Sequence, residues 1–236
     1  MPVPFWSPFC HNGIVYDRVL DGKQFTFVVS GLLWNESLVM KDLETKSLWS
    51  HLWGKSMEGE MQDSQLKTIP SLLTTWDKWK ELHPNSTSLI MDRTSQKFTS
   101  QLFRDPADFL VGWTNMKQSR AWRFSDLAVQ PLVNDAIADE KILVWYHKET
   151  GTPFLFDRQV DEQVLTFQPQ EPAGSESNKQ PHRATDVETG STWDLQSGTA
   201  LAGSLQGKRL KPLVGIPSFI SAWEVFHPNS EYWQPE

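Results

Sequence analysis

One eight-residue stretch occurs twice. Asp42-Leu43-Glu44-Thr45-Lys46-Ser47-Leu48-Trp49 returns 144 residues later as Asp186-Val187-Glu188-Thr189-Gly190-Ser191-Thr192-Trp193, with Asp, Glu, Thr, Ser and Trp in the same places. Any fold for this chain must satisfy both copies. The flanks extend the correspondence. At an offset of 140, Asp17, Arg18, Asp21, Thr26 and Phe27 return as Asp157, Arg158, Asp161, Thr166 and Phe167. At 144, Trp79 and His83-Pro84-Asn85-Ser86 return as Trp223 and His227-Pro228-Asn229-Ser230. The four-residue difference falls in Gln168 to Arg183, whose Pro, Ser, Glu, Gln and Asn content reads as a solvated loop.

The pattern predicts a mainly-β α+β protein made of two related copies, each a β-hairpin with further strands closed by a short helix. Gly13 to Val29 is rich in β-branched and aromatic residues around an Asp21-Gly22 turn. Trp76, Trp79 and Leu82 recur at helical spacing, and Pro84 ends that helix. In the second copy Ser221 and Glu224 have capping-box spacing. Ser125 to Ala128 reads as a short helix, Asn134-Asp135 as a turn and Lys141 to Tyr146 as a buried strand. The expected organisation is a first copy at 1–87, a connector at 88–118 and a second copy at 119–236, packed as one globular unit. Arg120 stands 36 residues before Phe156, whereas Met1 stands only 15 before Tyr16. The first copy is therefore expected to be N-terminally incomplete by about 21 residues.

A net charge of -7 argues against nucleic-acid binding, which needs clustered Lys and Arg to displace counterions. No apolar run approaches the roughly 18 residues that would cross a bilayer as a helix. A lone cysteine, Cys10, precludes an internal disulfide or a site built from several thiolates of this chain. Twelve tryptophans are roughly four times an average share, which fits large rings packed between layers.

These residues resemble the uncharacterised prokaryotic family catalogued as domain of unknown function 3179. The likeness is carried by Gly31-Leu32-Leu33-Trp34-Asn35, Leu38-Val39-Met40, Asp42 to Trp49, Arg120-Ala121-Trp122, Phe156-Asp157-Arg158 and Glu188 to Trp193. The resemblance implies an extracytoplasmic protein, periplasmic or lipid-anchored, with no assigned reaction. It also implies a Cys-Pro-x-Cys motif, where this chain has Ser7-Pro8-Phe9-Cys10. The missing thiol counts against a dithiol redox pair.

Residues present in both copies serve two sets of surroundings, so Asp42, Glu44, Trp49, Asp186, Glu188 and Trp193 are read as structural, a turn closed by a tryptophan. Unrepeated polar groups are the candidate site: Cys10, His11, Trp34, Asn35 and His51. The second copy has Thr150-Gly151 opposite Cys10-His11, and Leu195 opposite His51. The leading expectation is a non-enzymatic ligand- or metal-binding protein with its site in the first copy. Cys10, His11 and His51 would offer one sulfur and two nitrogens to a copper or zinc ion. A second reading is a thiol-dependent enzyme with Cys10 as nucleophile. A third is a structural or interaction module, its incomplete first copy leaving a strand edge for a protein partner.

Overall fold

Alternating inward and outward side chains set the first sheet. In β1 (Pro2–Ser7) and β2 (Asn12–Asp17), Ile14 and Tyr16 are buried while Gly13 and Val15 are only partly covered, the period of a half-buried strand. The computed structural model describes residues 1–7, 10–88, 106–115, 117–170 and 182–235. After β2 come the short ladder β3 (Val19–Leu20) with β4 (Lys23–Gln24) and the meander β5 (Phe27–Trp34), β6 (Ser37–Asp42), β7 (Leu48–Ser50) and β8 (Ser56–Glu58). Strand β9 (Thr68–Ile69) pairs with β2, and helix α1 (Trp76–Leu82) follows. The expected hairpin over Gly13 to Val29 is thus reduced to the β3–β4 ladder, because β2 pairs with β1 and β9 instead. Its Asp21-Gly22 turn forms with both residues at positive φ, 50° and 77°.

The second segment opens with β10 (Phe109–Thr114), β11 (Ser119–Arg123), α2 (Phe124–Val129) and β12 (Leu132–Ile137). Part of the expected connector is therefore strand β10, while 89–105 and 116 lie outside the described residues. Asn134-Asp135, expected as a turn, lie within β12. Next come β13 (Glu140–His147), β14 (Thr152–Asp157), the ladder β15 (Gln159–Val160) with β16 (Gln163–Val164), and the meander β17 (Phe167–Pro169), β18 (Arg183–Asp186), β19 (Thr192–Asp194) and β20 (Thr199–Ala202). The chain ends through β21 (Lys211–Pro212), β22 (Ile216–Phe219), α3 (Ile220–Phe226) and β23 (Glu231–Tyr232). The expected loop between β17 and β18 includes 171–181, outside the described residues. The whole is mainly β, with three short α-helices among the described residues.

Sheet order repeats. The meander β5-β6-β7-β8 matches β17-β18-β19-β20, and β1-β2-β9 matches β13-β14-β21, to which β12 adds an outer strand. Tyr146 N donates to Pro131 O at 2.8 Å, so the even-numbered residues of β13 face outward to β12. Among the described residues no strand pairs with the outer edge of β1, where their counterparts are Pro2, Pro4 and Trp6. Two prolines remove two outward donors, which blunts the edge that the sequence offered to a partner strand.

The two segments cross. Phe219 N and Ser218 Oγ both donate to Cys10 O, at 3.1 and 3.4 Å, and Thr152 Oγ1 donates to Thr74 Oγ1 at 3.0 Å. The approach to each closing helix thus packs on the hairpin turn of the other segment. A core cluster accordingly mixes Ile14, Tyr16 and Trp49 with Ile216, Trp223 and Phe226.

The two helices are alike inside and unlike outside. Trp79 and Trp223 each bond a serine four residues past the helix, Ser86 or Ser230, at 2.9 Å, and each ring leans on the capping histidine with centroids 4.1 and 4.0 Å apart. Trp223 is fully buried under β10, yet Trp79 is 36% exposed. Gly112 explains the close fit: a Cβ there would fall 2.2 Å from the Trp223 ring. The expected Ser221–Glu224 capping box does not form, since the N-cap of α3 is Phe219 and Ser221 lies inside the helix.

Candidate functional site

The repeated acids are consumed by their own turn. Asp42 accepts from Trp49 Nε1 at 2.8 Å and from Thr45 Oγ1 at 2.9 Å; Asp186 accepts from Trp193 Nε1 at 2.8 Å, Thr189 N at 2.6 Å and Thr189 Oγ1 at 2.9 Å. Glu44 and Glu188 reach back to Thr26 N and Thr166 N at 2.8 and 2.7 Å, tying each turn to the start of its meander. Burial pushes the Asp42 carboxyl up, but hydrogen bonds from Trp49, Thr45 and the Lys46 backbone outweigh it and hold the carboxyl below its ordinary value. Acceptors this fully engaged anchor a turn and leave little to offer a substrate.

The unrepeated residues separate. Cys10 is buried, its Sγ donating to Asn12 Oδ1 at 3.2 Å and lying 3.6 Å from Ser37 Oγ. A thiol enclosed in this way is shielded from any substrate in solvent. His11, with φ of 48°, instead turns its ring onto Phe219, Phe109 and Trp6, at centroid distances of 5.3, 5.0 and 5.6 Å. Trp34 packs on Trp53 and Phe226 at 4.8 and 5.2 Å. Asn35 is an exposed turn residue, sharing positive φ with Glu36 between β5 and β6. Among the described residues no three His, Cys, Asp or Glu side chains converge to hold a metal ion. Cys10, His11 and His51 therefore do not make the three-ligand centre, because each faces different neighbours.

His51 lies in the interior, fully buried, where the second segment has Leu195. Its ring nitrogens have no hydrogen bond of normal geometry, and its own backbone carbonyl accepts from Tyr16 Oη at 2.6 Å. Burial lowers its pKa to about 4, weakly opposed by the Phe5 backbone. A folded-state value below the unfolded 6.5 means that the unfolded chain takes up the proton first as pH falls. Stability is then expected to drop between about pH 6.5 and 4 by up to about 3 kcal/mol from this one ring. Urea unfolding at pH 7 and pH 4.5 checks this: His51→Leu should lose less stability on acidification than the parent, and equal losses would refute it.

A concavity lies where the segments meet. A cavity of about 610 Å³ has His11, Phe109, Phe124 and Tyr146 on one wall and Leu73 to Thr75 on another. The rings form a continuous row, with Phe109–Phe124 centroids 5.8 Å apart and Phe124–Tyr146 5.0 Å apart. Below runs a chain of hydrogen bonds: His147 Nδ1 to Thr150 Oγ1 at 2.9 Å, on to Thr152 Oγ1 at 2.8 Å and to Thr74 Oγ1 at 3.0 Å. Burial, with Lys78 nearby, holds His147 below its ordinary pKa. Lys148 and Glu149 stand at the rim with opposite charges.

The cavity has a filled counterpart. Gly151 and Thr75 on its walls correspond to His11 and Phe219, whose rings stack at 5.3 Å at the other crossing. Of the residues picked from sequence, only His11 reaches this space. Phe109, Phe124 and Tyr146 were missed because they look like ordinary core rings. The available signal was Gly151, small where its counterpart carries a ring.

A family model described as "Protein of unknown function (DUF3179)" matches residues 5–230. No curated protein and no solved structure matches the chain.

Proposed function

The chain belongs to DUF3179, a family of unknown function, and from that premise we propose that it is a non-enzymatic binding protein for small ring-bearing molecules. The site is the cavity between the segments. One observation carries this reading: Gly151 and Thr75 leave open the space that a stacked histidine and phenylalanine occupy at the corresponding crossing. Its volume of about 610 Å³ falls within the range of small-molecule pockets, which is about 300 to 1,000 Å³. Ring faces give affinity through offset or edge contacts, and the hydroxyl chain under them is already hydrogen-bonded. A thiol reaction gains no support from a buried Cys10, nor does a three-ligand copper or zinc site. An extracytoplasmic setting follows the family resemblance and is tested by fractionating cells that make the full-length protein.

The pocket is tested with a fragment set of phenols, indoles and aromatic acids, read by protein NMR. At least one ring compound is expected to shift the resonances of Ala107, Ala128 and Gly151, all on the cavity wall. Ala128→Trp, an exposed helix position at that wall, should weaken the binding read at these resonances by about tenfold or more. Val129→Trp, at a neighbouring position outside the lining and 72% exposed, should leave it unchanged. Shifts at Ala107 and Gly151 that survive Ala128→Trp, or no shift of these resonances up to ~1 mM, sink the proposal.

A further inference from the structure

A second cavity, of about 320 Å³, lies between residues 70–72 and strands β14 and β21. Phe154 and Phe156 form its base, and Ser197 and Arg209 stand on its wall. The base is held firmly: Phe154 packs on Trp145 at 5.0 Å, and a Cβ added at Gly198 would meet the Phe156 ring at 2.7 Å. Gly198 has φ of +66°, so the backbone that brings Ser197 to this wall favours glycine there.

The first segment shows what such a place can hold. At the offset of 144, Ser197 corresponds to Trp53 and Arg209 to Gln65. Trp53 closes edge-to-face on Trp34 at 4.8 Å and on Phe226 at 5.6 Å, and Gln65 Nε2 donates to Trp53 O at 2.7 Å. In the second segment the indole is replaced by a hydroxyl, which donates to Asp194 Oδ2 at 2.7 Å. The amide is replaced by a guanidinium that is exposed and has no hydrogen-bond or ion-pair partner among the described residues. Aromatic walls, a missing ring and an unengaged cation therefore meet at one opening.

We infer that this cavity is a second binding site, distinct from the one between the segments, for a small aromatic carboxylate. The ring would lie against Phe154 and Phe156 beside Ser197, where the first segment carries the Trp53 indole, and the carboxylate would pair with Arg209. Arginine suits that task because its planar fork meets a carboxylate with two parallel hydrogen bonds. Asp194, beside Ser197, repels an acid on its own side and so favours the orientation toward Arg209.

The test titrates the full-length protein with indole-3-propionate and, separately, with the neutral probe 3-methylindole, read by NMR and calorimetry. Ser197→Trp copies the first segment and should weaken both probes by about tenfold or more; its unfolding midpoint is measured beside the parent's to show that it folds. Arg209→Gln copies Gln65 at an exposed position and should weaken the acid by about tenfold while leaving 3-methylindole unchanged. Ala128→Trp should affect neither probe. Failure to bind up to ~1 mM, equal effects of Arg209→Gln on both probes, or loss of binding in Ala128→Trp would each overturn the inference. The last result would move the probe to the cavity between the segments and leave the function proposed there standing.

Discussion

Trp223→Ala is expected to destabilise the protein by about 3–5 kcal/mol, whereas Trp79→Ala should cost about 1 kcal/mol or less. For a chain of this size the first loss lowers the thermal midpoint by roughly 10 °C. The two tryptophans are sequence counterparts with the same internal contacts, so the difference isolates what lies outside the helix. Trp223 lies under β10 with Gly112 against its ring, and truncation leaves a void that surrounding strands fill only in part. Trp79 is already 36% exposed, so its removal opens no comparable cavity. Gly112→Ala should fall between the two, because its new Cβ has no room until the ring or the strand shifts. Thermal and urea unfolding followed by circular dichroism measure all three. Equal losses for the two tryptophans would mean that α1 is covered in solution as α3 is.

Asp186→Ala should produce the other large effect, roughly 3–5 kcal/mol, as several buried donors lose their acceptor at once. Trp193 Nε1, Thr189 N and Ser191 N all bond this carboxylate, and Trp193 is fully enclosed. Asp186→Asn keeps one acceptor oxygen but points an amide N–H₂ at remaining donors, so it should recover only part of the loss. Neither change touches the cavity walls, so any ring compound that binds should bind the folded fraction with unaltered affinity. Urea titration at pH 7 gives the stabilities. A cost below about 1 kcal/mol for Asp186→Ala would show that the turn does not depend on this carboxylate.

Local chemistry was legible in the sequence. The Asp21-Gly22 turn, helix α2 and strand β13 were expected near their observed places, since turn residues and short-range patterning act within a few residues. The Asp-x-Glu-Thr-x-Ser turn was read as structural from its recurrence, and its geometry gives the reason: each acid bonds groups of its own turn or its own meander. Ser221 and Glu224 misled because capping spacing has no force once the chain enters the helix from strand β22, at Phe219. Asn134-Asp135 misled in a similar way. Asn134 exchanges hydrogen bonds with Phe167 at 2.8 Å in both directions, and Asp135 takes Arg120 and Trp122, so two turn-prone residues are held in a strand by distant partners.

The sequence by itself determined the recurring turn and the acids that close it, because those bonds join residues near in sequence. Only the tertiary structure decided which histidine faces a cavity and which is sealed in the core, since His11 and His51 differ in surroundings brought from far along the chain. It also decided that two tryptophans with the same contacts to their own helix ends meet different fates, Trp223 beneath β10 and Trp79 partly exposed. Both candidate binding sites belong to that second kind of information. They arise where the segments cross, from rings at Phe109, Phe154 and Phe156 and from gaps at Gly151, Thr75 and Ser197, which come together only when the whole chain is packed.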